Sequence, residues 1–212
     1  MKSKRLLILA GVICLALVVA VLPLTSACAP EAKPGESLKV GFSICMTGVA
    51  AEKGSPMGHA KLDCMKYIKE ELGGIEGHPV EVCWYDNGYD AAKAATIVKK
   101  LMDEGCLFFT TNSSKMMAAS MEIANRAEFP GIASFSSPVC THPPKHIYGQ
   151  MPDYGDDWAA FANYYVENIW KGTGKPKMVL HLLNNPTGYG ARDAAQAAAD
   201  KLGIEILPPE EH

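Results

Sequence analysis

Gly48-Val49-Ala50-Ala51-Glu52-Lys53-Gly54-Ser55 is the stretch of this chain closest to a phosphate-binding loop, being bounded by glycine, carrying Lys and Ser, and opening onto a helical pattern. The order is wrong for that chemistry. A Walker loop places Lys after Gly and before Ser or Thr so that the amine reaches the terminal phosphates, whereas Lys53 precedes Gly54. No GxGxxG follows the first strand, although Asp86 sits where a ribose-binding acid would. There is no GxSxG elbow, and His59, His78, His142, His146, His181 and His212 show no HExxH spacing. The acidic pairs Glu70-Glu71, Asp156-Asp157 and Glu210-Glu211 read as solvated faces and a helix cap rather than acid/base dyads. Cysteines 14, 28, 45, 64, 83, 106 and 140 form no CxxC pair. Cys45, Cys64, Cys83 and Cys106 sit among apolar residues as small buried thiols. Cys140-Thr141-His142 lacks the two further ligands that zinc needs. The residues therefore make an enzyme the minority reading, and no metal or cofactor is expected.

The elements that would position a binding site follow from periodicity. The chain has 212 residues, 48% of them hydrophobic and 20% charged, with a formal net charge of -3. That composition excludes long-range disorder and leaves no basic excess for nucleic-acid binding. Strands are expected at Leu38–Ser43, Val80–Tyr85, Cys106–Thr110 and Pro130–Phe135. Between them, Ser55 is the expected cap of a helix whose stripe is Met57, Ala60, Cys64, Ile68 and Leu72. Asp90 caps a second helix from Ala91 to Glu104, ended by Gly105, and Ser113 or Ser114 caps a third to Glu128. The proline-rich stretch Ser136–Gly155 reads as a crossover. A second series follows: a helix capped by Asp156 with Trp158, Phe161, Ala162, Tyr165, Val166 and Ile169 on one face, a strand Lys177–Leu183, a helix Tyr189–Leu202 and a strand Ile204–Leu207. Strict alternation of strand and helix predicts an α/β fold with a parallel sheet, helices on both faces, and ligand at the carboxyl ends of the strands.

The N-terminus reads as a targeting segment. Lys2, Lys4 and Arg5 precede a nearly unbroken apolar run from Leu6 to Leu22, and Thr25-Ser26-Ala27-Cys28 closes it. This resembles a bacterial lipoprotein signal, with residues 1–27 removed, Cys28 lipidated and residues 28–37 a tether from the membrane. An uncleaved anchor is the other reading. Both put the domain outside the cytoplasm.

Lys39-Val40-Gly41-Phe42, Thr47-Gly48, Gly54, the block Gly73-Gly74-Ile75-Glu76-Gly77-His78-Pro79-Val80-Glu81-Val82, Asp86 and Asp90-Ala91-Ala92-Lys93-Ala94 resemble the leucine/isoleucine/valine-binding family of periplasmic solute receptors. These are the type I substrate-binding proteins of ABC importers. The resemblance runs from about Leu38 to Leu207. It implies lobe one over residues 38–145, with the crossover and an incomplete lobe two over 146–212, closing on a solute by hinge motion. It implies capture of a small polar solute, an amino acid, amide or small organic acid, and its delivery to ABC permease subunits. An anchored sensory domain of the same fold is the alternative.

Carried onto matching positions, the family's binding residues fall on Ser114, which opens the third helix, and on Phe135 and Ser137 after strand four. Lys53 in the loop after strand one and Tyr189 in a Tyr-Gly step rank below them. Three positions depart from the family pattern: Thr110-Thr111 replaces Gly-Pro, Phe135 fills a small-residue position, and Lys69 replaces a helix asparagine. A bulky Phe135 implies a reshaped pocket. The chain is too short for two complete lobes, so a truncated product or fragment is expected.

Overall fold

The computed structural model describes residues 35–212. The predicted signal, Cys28 and nearly all of the tether lie outside the described residues. Strand β1 (Leu38–Ile44) is buried on both faces from Val40 onward: Leu38, Val40, Phe42 and Ile44 alternate with Lys39, Gly41 and Ser43, and the small Gly41 and Ser43 let the second face be covered as well. It is followed by α1 (Ala51–Glu70), β2 (Val80–Asp86), α2 (Ala91–Asp103), β3 (Phe109–Thr111), α3 (Ser114–Arg126), β4 (Gly131–Ala133), α4 (Pro138–Thr141) and β5 (Ile147–Gly149). These strands form one five-stranded sheet in the order β2-β1-β3-β4-β5, with every pairing parallel. Then come α5 (Tyr154–Tyr164), a π-helical turn (Tyr165–Ile169), β6 (Lys177–Met178), β7 (His181–Leu182), α6 (Pro186–Leu202), β8 (Glu205–Ile206) and β9 (Glu210–Glu211). β6 pairs with β8 and β7 with β9, again parallel.

The sheet is packed on both faces. On one, Val98 and Leu101 of α2 and Met117 and Ala124 of α3 enclose Phe109, whose ring stacks on Phe129 at 5.4 Å. On the other, Leu62, Met65 and Ile68 of α1 cover Val40, Phe42, Ile44 and Val80. Asp90 caps α2 as expected, its side chain accepting from the Lys93 N–H at 2.8 Å, and Gly105 leaves that helix at φ +77°.

Several expectations are corrected. α1 begins at Ala51 rather than after Ser55, without a side-chain cap, and Pro56 lies inside it. Its buried face is not the predicted stripe: Ala60, Cys64 and Leu72 are exposed, and Gly54 and Gly58 are buried instead. The helix crosses the end of β1 so closely that a Cβ at Gly54 would lie 2.2 Å from the Cys45 carbonyl oxygen, and one at Gly58 would lie 2.5 Å from the Ile44 side chain. Backbone approach, invisible to an apolar stripe, sets the helix rotation. Cys64 is thus an exposed thiol and Cys83 a half-buried one.

β3 starts at Phe109, three residues later than read, because Leu107 is still bonded to Lys39 on its way into the sheet. The proline-rich crossover contains α4, with Pro138 in its first turn, and β5, the sheet's fifth strand. α5 is capped by Asp153 instead of Asp156: the Asp153 side chain accepts from the N–H groups of Gly155 and Asp156 at 2.8 and 3.1 Å. The strand read at Lys177–Leu183 is two short ones, β6 and β7. α6 begins at Pro186 under an Asn185 cap, so Tyr189 sits in its first turn.

Candidate functional site

The carboxyl ends of β1, β3 and β4 are adjacent in the sheet, and their loops are tied together by buried polar side chains. Asn112, just beyond β3, accepts from the Cys45 N–H through Oδ1 and donates to the Gly54 carbonyl through Nδ2, both at 2.9 Å. It thereby fixes the β1 loop against the start of α1. From the edge strand, the Asp86 carboxylate accepts from the N–H groups of Met46, Thr47 and Gly88 at 2.9, 3.2 and 2.9 Å and from the Thr47 hydroxyl at 2.5 Å. Burial works to raise the Asp86 pKa, but these donors outweigh it and hold the carboxyl below its ordinary value. Asp86 therefore anchors the β1 loop.

Thr111 shapes the approach to α3. Its hydroxyl donates to the Ser113 carbonyl at 2.8 Å and accepts from the Ser113 N–H at 3.1 Å. Ser113, not Ser114, is the cap of α3, accepting from the Met116 N–H at 3.4 Å. That leaves the Ser114 hydroxyl free of capping duty, at the positive end of a 13-residue helix. Ser114 is 8% exposed, and its Oγ lies 3.4 Å from the Tyr154 hydroxyl at the start of α5. Tyr154 in turn borders a groove of about 250 Å³ shared with Trp158, Leu180, His181, Ala191 and Ala195.

The loop after β4 carries the other predicted residues. Phe135 is half-buried, and Ser137 is fully buried. The Ser137 hydroxyl donates to the Thr187 carbonyl at 2.8 Å, so it is already used within the protein. Its backbone remains at the end of β4, and the Ser137 carbonyl accepts from the Cys140 N–H in α4. The Tyr189-Gly190 step is brought to the same place: a Cβ on Gly190 would meet the Ser137 Oγ at 3.0 Å. Tyr189 itself is half-buried, hydrogen-bonded through its hydroxyl to the Asn184 Oδ1, with the Arg192 guanidinium 5.2 Å from its ring centre. Lys53 projects into solvent and pairs with Glu52 at 3.0 Å. Ser114 and Ser137 thus flank one region, Tyr189 adjoins it through Gly190, and Lys53 points away from the protein body.

Three residues near these strand ends escaped the sequence reading. Lys61, midway along α1, donates to the Thr110 hydroxyl at 3.0 Å and to the Ser134 hydroxyl at 2.7 Å. Burial lowers its amine pKa to about 8, opposed only weakly by the Cys45 thiol. Tyr154 was hidden in the crossover, and Ser136 has a buried hydroxyl without a partner among the described residues. A lysine on a helix gives no periodic signal of its own, while the Ser134–Ser137 run was legible only as a loop.

Hydroxyls, loop backbone and a helix N-terminus converge at the carboxyl ends of parallel strands, the end of an α/β sheet at which ligands generally bind. The chain belongs to the periplasmic binding protein family, which it matches over residues 37–212. That is a family of extracytoplasmic binding proteins rather than enzymes. Among the described residues no helix is long and apolar enough to cross a membrane. No curated protein matches the chain.

Solved structures share the fold. A fatty acid ABC transporter substrate-binding protein from Thermomonospora curvata superposes with a TM-score of 0.70 at 21% identity, covering 84% of this chain and 47% of its own. The branched-chain amino acid transporter substrate binding protein LivJ from Streptococcus pneumoniae, in complex with isoleucine, gives 0.65 at 22%, covering 84% and 50%. A solute binding protein of an ABC transporter from Rhodopseudomonas palustris BisB5, in complex with 3,4-dihydroxybenzoic acid, gives 0.65 at 18%, covering 82% and 47%. The chain therefore spans about half the length of these relatives.

Proposed function

We propose that this chain is the solute-capturing first lobe, with the start of the second, of an ABC importer's receptor. It is held outside the cytoplasm by a lipid on Cys28, and its solute is a small carboxylate. The observation that carries the reading is the Ser114 hydroxyl at the N-terminus of α3, buried yet released from capping by Ser113. A helix N-terminus favours negative charge, and the hydroxyl adds a directed donor. The solutes named for the similar structures, isoleucine, 3,4-dihydroxybenzoic acid and a fatty acid, all carry a carboxylate on otherwise dissimilar skeletons. That common group supports placing a carboxylate at α3 and leaves the rest of the solute to Phe135, Tyr154, Tyr189 and the opposing lobe. Delivery would be to the membrane-embedded permease subunits.

The test is calorimetric titration of the protein encoded by the complete reading frame with branched-chain amino acids, aromatic acids and fatty acids, alongside their carboxamides. Saturable binding of an acid without turnover, lost for its carboxamide and weakened about tenfold or more in S114A, is the expected outcome. Equal binding of acid and amide, or unchanged affinity in S114A, overturns the placement.

A further inference from the structure

Cys83 on β2 and the pair Glu104 and Cys106 between α2 and β3 are distant in sequence and adjacent in space. Their two sulfurs and a carboxylate oxygen all lie within 4.8 Å of one another. The fold creates this meeting. β2 pairs with β1 in the register Cys83↔Gly41, and Leu107 and Gly41 bond the incoming β3 segment to the other edge of β1. Gly105, at φ +77°, turns the chain so that Glu104 and Cys106 flank it.

The carboxylate is incompletely satisfied. Glu104 Oε1 accepts from the Tyr85 hydroxyl at 2.5 Å, whereas Oε2 is buried and has no hydrogen-bond partner among the described residues. A buried carboxylate oxygen left without a donor is costly, and it is the feature a cation would answer. Cys106 is buried and Cys83 half-buried, so the cluster has one side open to solvent.

We propose that Cys83, Glu104 and Cys106 form a three-ligand site for a thiophilic divalent cation, zinc above others, with water in the fourth position. Two sulfurs and one carboxylate oxygen are a zinc donor set, and tetrahedral bonding requires donors about 3.8 Å apart, a contraction of at most about 1 Å. On binding, each thiol gives its proton to solvent, and the ion with two thiolates and one carboxylate carries a net charge of -1. Lys39, whose Nζ lies 3.3 Å from the Glu104 carbonyl oxygen and 3.9 Å from Glu81, and Lys100, 4.0 Å over the Tyr85 ring, balance that charge. A Cys83–Cys106 disulfide is the competing fate of these sulfurs, and it would leave the Glu104 oxygen unanswered.

The test uses the full chain, purified under reductant without a histidine tag and titrated with Co²⁺. One equivalent should bind with a thiolate-to-cobalt charge-transfer band that Zn²⁺ abolishes. C83S and C106S should lose the band, C64S should keep it, and E104Q should bind Co²⁺ about tenfold or more weakly. Circular dichroism establishes that each variant is folded, and native mass spectrometry of the unsubstituted chain reads zinc retention without any variant. Absence of the band in the folded protein, or its persistence in C106S, overturns the site. So does recovery of the protein from its native compartment with Cys83 and Cys106 cross-linked and two hydrogens lighter.

Discussion

The Ser137 hydroxyl donates to the Thr187 carbonyl oxygen at 2.8 Å, joining the end of β4 to the first turn of α6 across 50 residues of sequence. Both residues are buried, and Gly190 packs against the same hydroxyl. A residue that the family resemblance marks for solute contact is therefore also a brace between the five-stranded sheet and the helix beyond the crossover.

This separates the two serines experimentally. Ser137→Ala orphans a buried carbonyl and is expected to cost about 1–3 kcal/mol of unfolding free energy. Ser114→Ala removes only a 3.4 Å contact to Tyr154 and is expected to cost under about 1 kcal/mol while weakening solute binding. Denaturant unfolding of the two variants, compared with their binding isotherms, checks the division. A Ser114→Ala variant as destabilised as Ser137→Ala would contradict it.

Lys61 gives a pH signature. Its folded pKa, about 8, lies below the ordinary 10.5, so between these values the unfolded chain holds a proton that the folded one has released. Stability attributable to this group is lowest below about pH 8 and rises with pH through that window, by up to about 3 kcal/mol. Lys61→Met removes the rise and leaves the Thr110 and Ser134 hydroxyls to each other or to water. Urea midpoints measured from pH 7 to 10 for both proteins read the effect, and a parallel pH dependence in Lys61→Met would refute the assignment.

The sheet was legible because its elements announce themselves chemically: β1 sets Leu38, Val40, Phe42 and Ile44 at every second position, and α2 is bracketed by Asp90 and Gly105. What sequence could not supply was approach distance and long-range pairing. Gly54 and Gly58 fix the rotation of α1 by contact with Cys45 and Ile44, a relation that no stripe of apolar residues records. Phe161 and Ile169, read as facing inward, are half-exposed beside a π-helical turn that shifts the register of the face. The candidate site was visible as loops after strands three and four, since topology alone places those loops together. Ser137's use by Thr187 and the Lys61–Thr110–Ser134 network depend on which hydroxyl meets which partner, and only coordinates contain that.

Asp86 predicts the acid limb. Its folded pKa is depressed, so the stability it contributes is complete above the ordinary carboxylate value and is lost as pH falls through the folded one. Asp86→Ala strips acceptors from Met46, Thr47 and Gly88 and is expected to cost about 1.5–3 kcal/mol at neutral pH. It should also flatten the loss of stability on acidification. Thermal unfolding between pH 3 and 7 tests both, and an acid limb as steep in Asp86→Ala as in the unsubstituted protein would place the titrating group elsewhere.

Gly54 tests whether the loop after β1 and the start of α1 act as one unit with β3. A Cβ there would lie 2.2 Å from the Cys45 carbonyl oxygen and 2.9 Å from the Cys45 Cβ, so Gly54→Ala must push α1 away from the strand end. The same displacement stretches the Asn112 bridge, which holds the Cys45 N–H and the Gly54 carbonyl at 2.9 Å each. The expected cost is about 1–3 kcal/mol from overpacking, with solute affinity falling too because Asn112 immediately precedes Ser113 and α3. Gly73→Ala is the control: at φ +71° with open space around it, it carries only the left-handed backbone penalty of about 1 kcal/mol and leaves binding unchanged. If Asn112 is the coupling, the double variant Gly54→Ala/Asn112→Ala loses less than the sum of the single losses, since the second substitution removes a bridge that the first has already broken. Simple additivity in denaturant unfolding would show instead that the Gly54 clash is absorbed within α1 and never reaches β3.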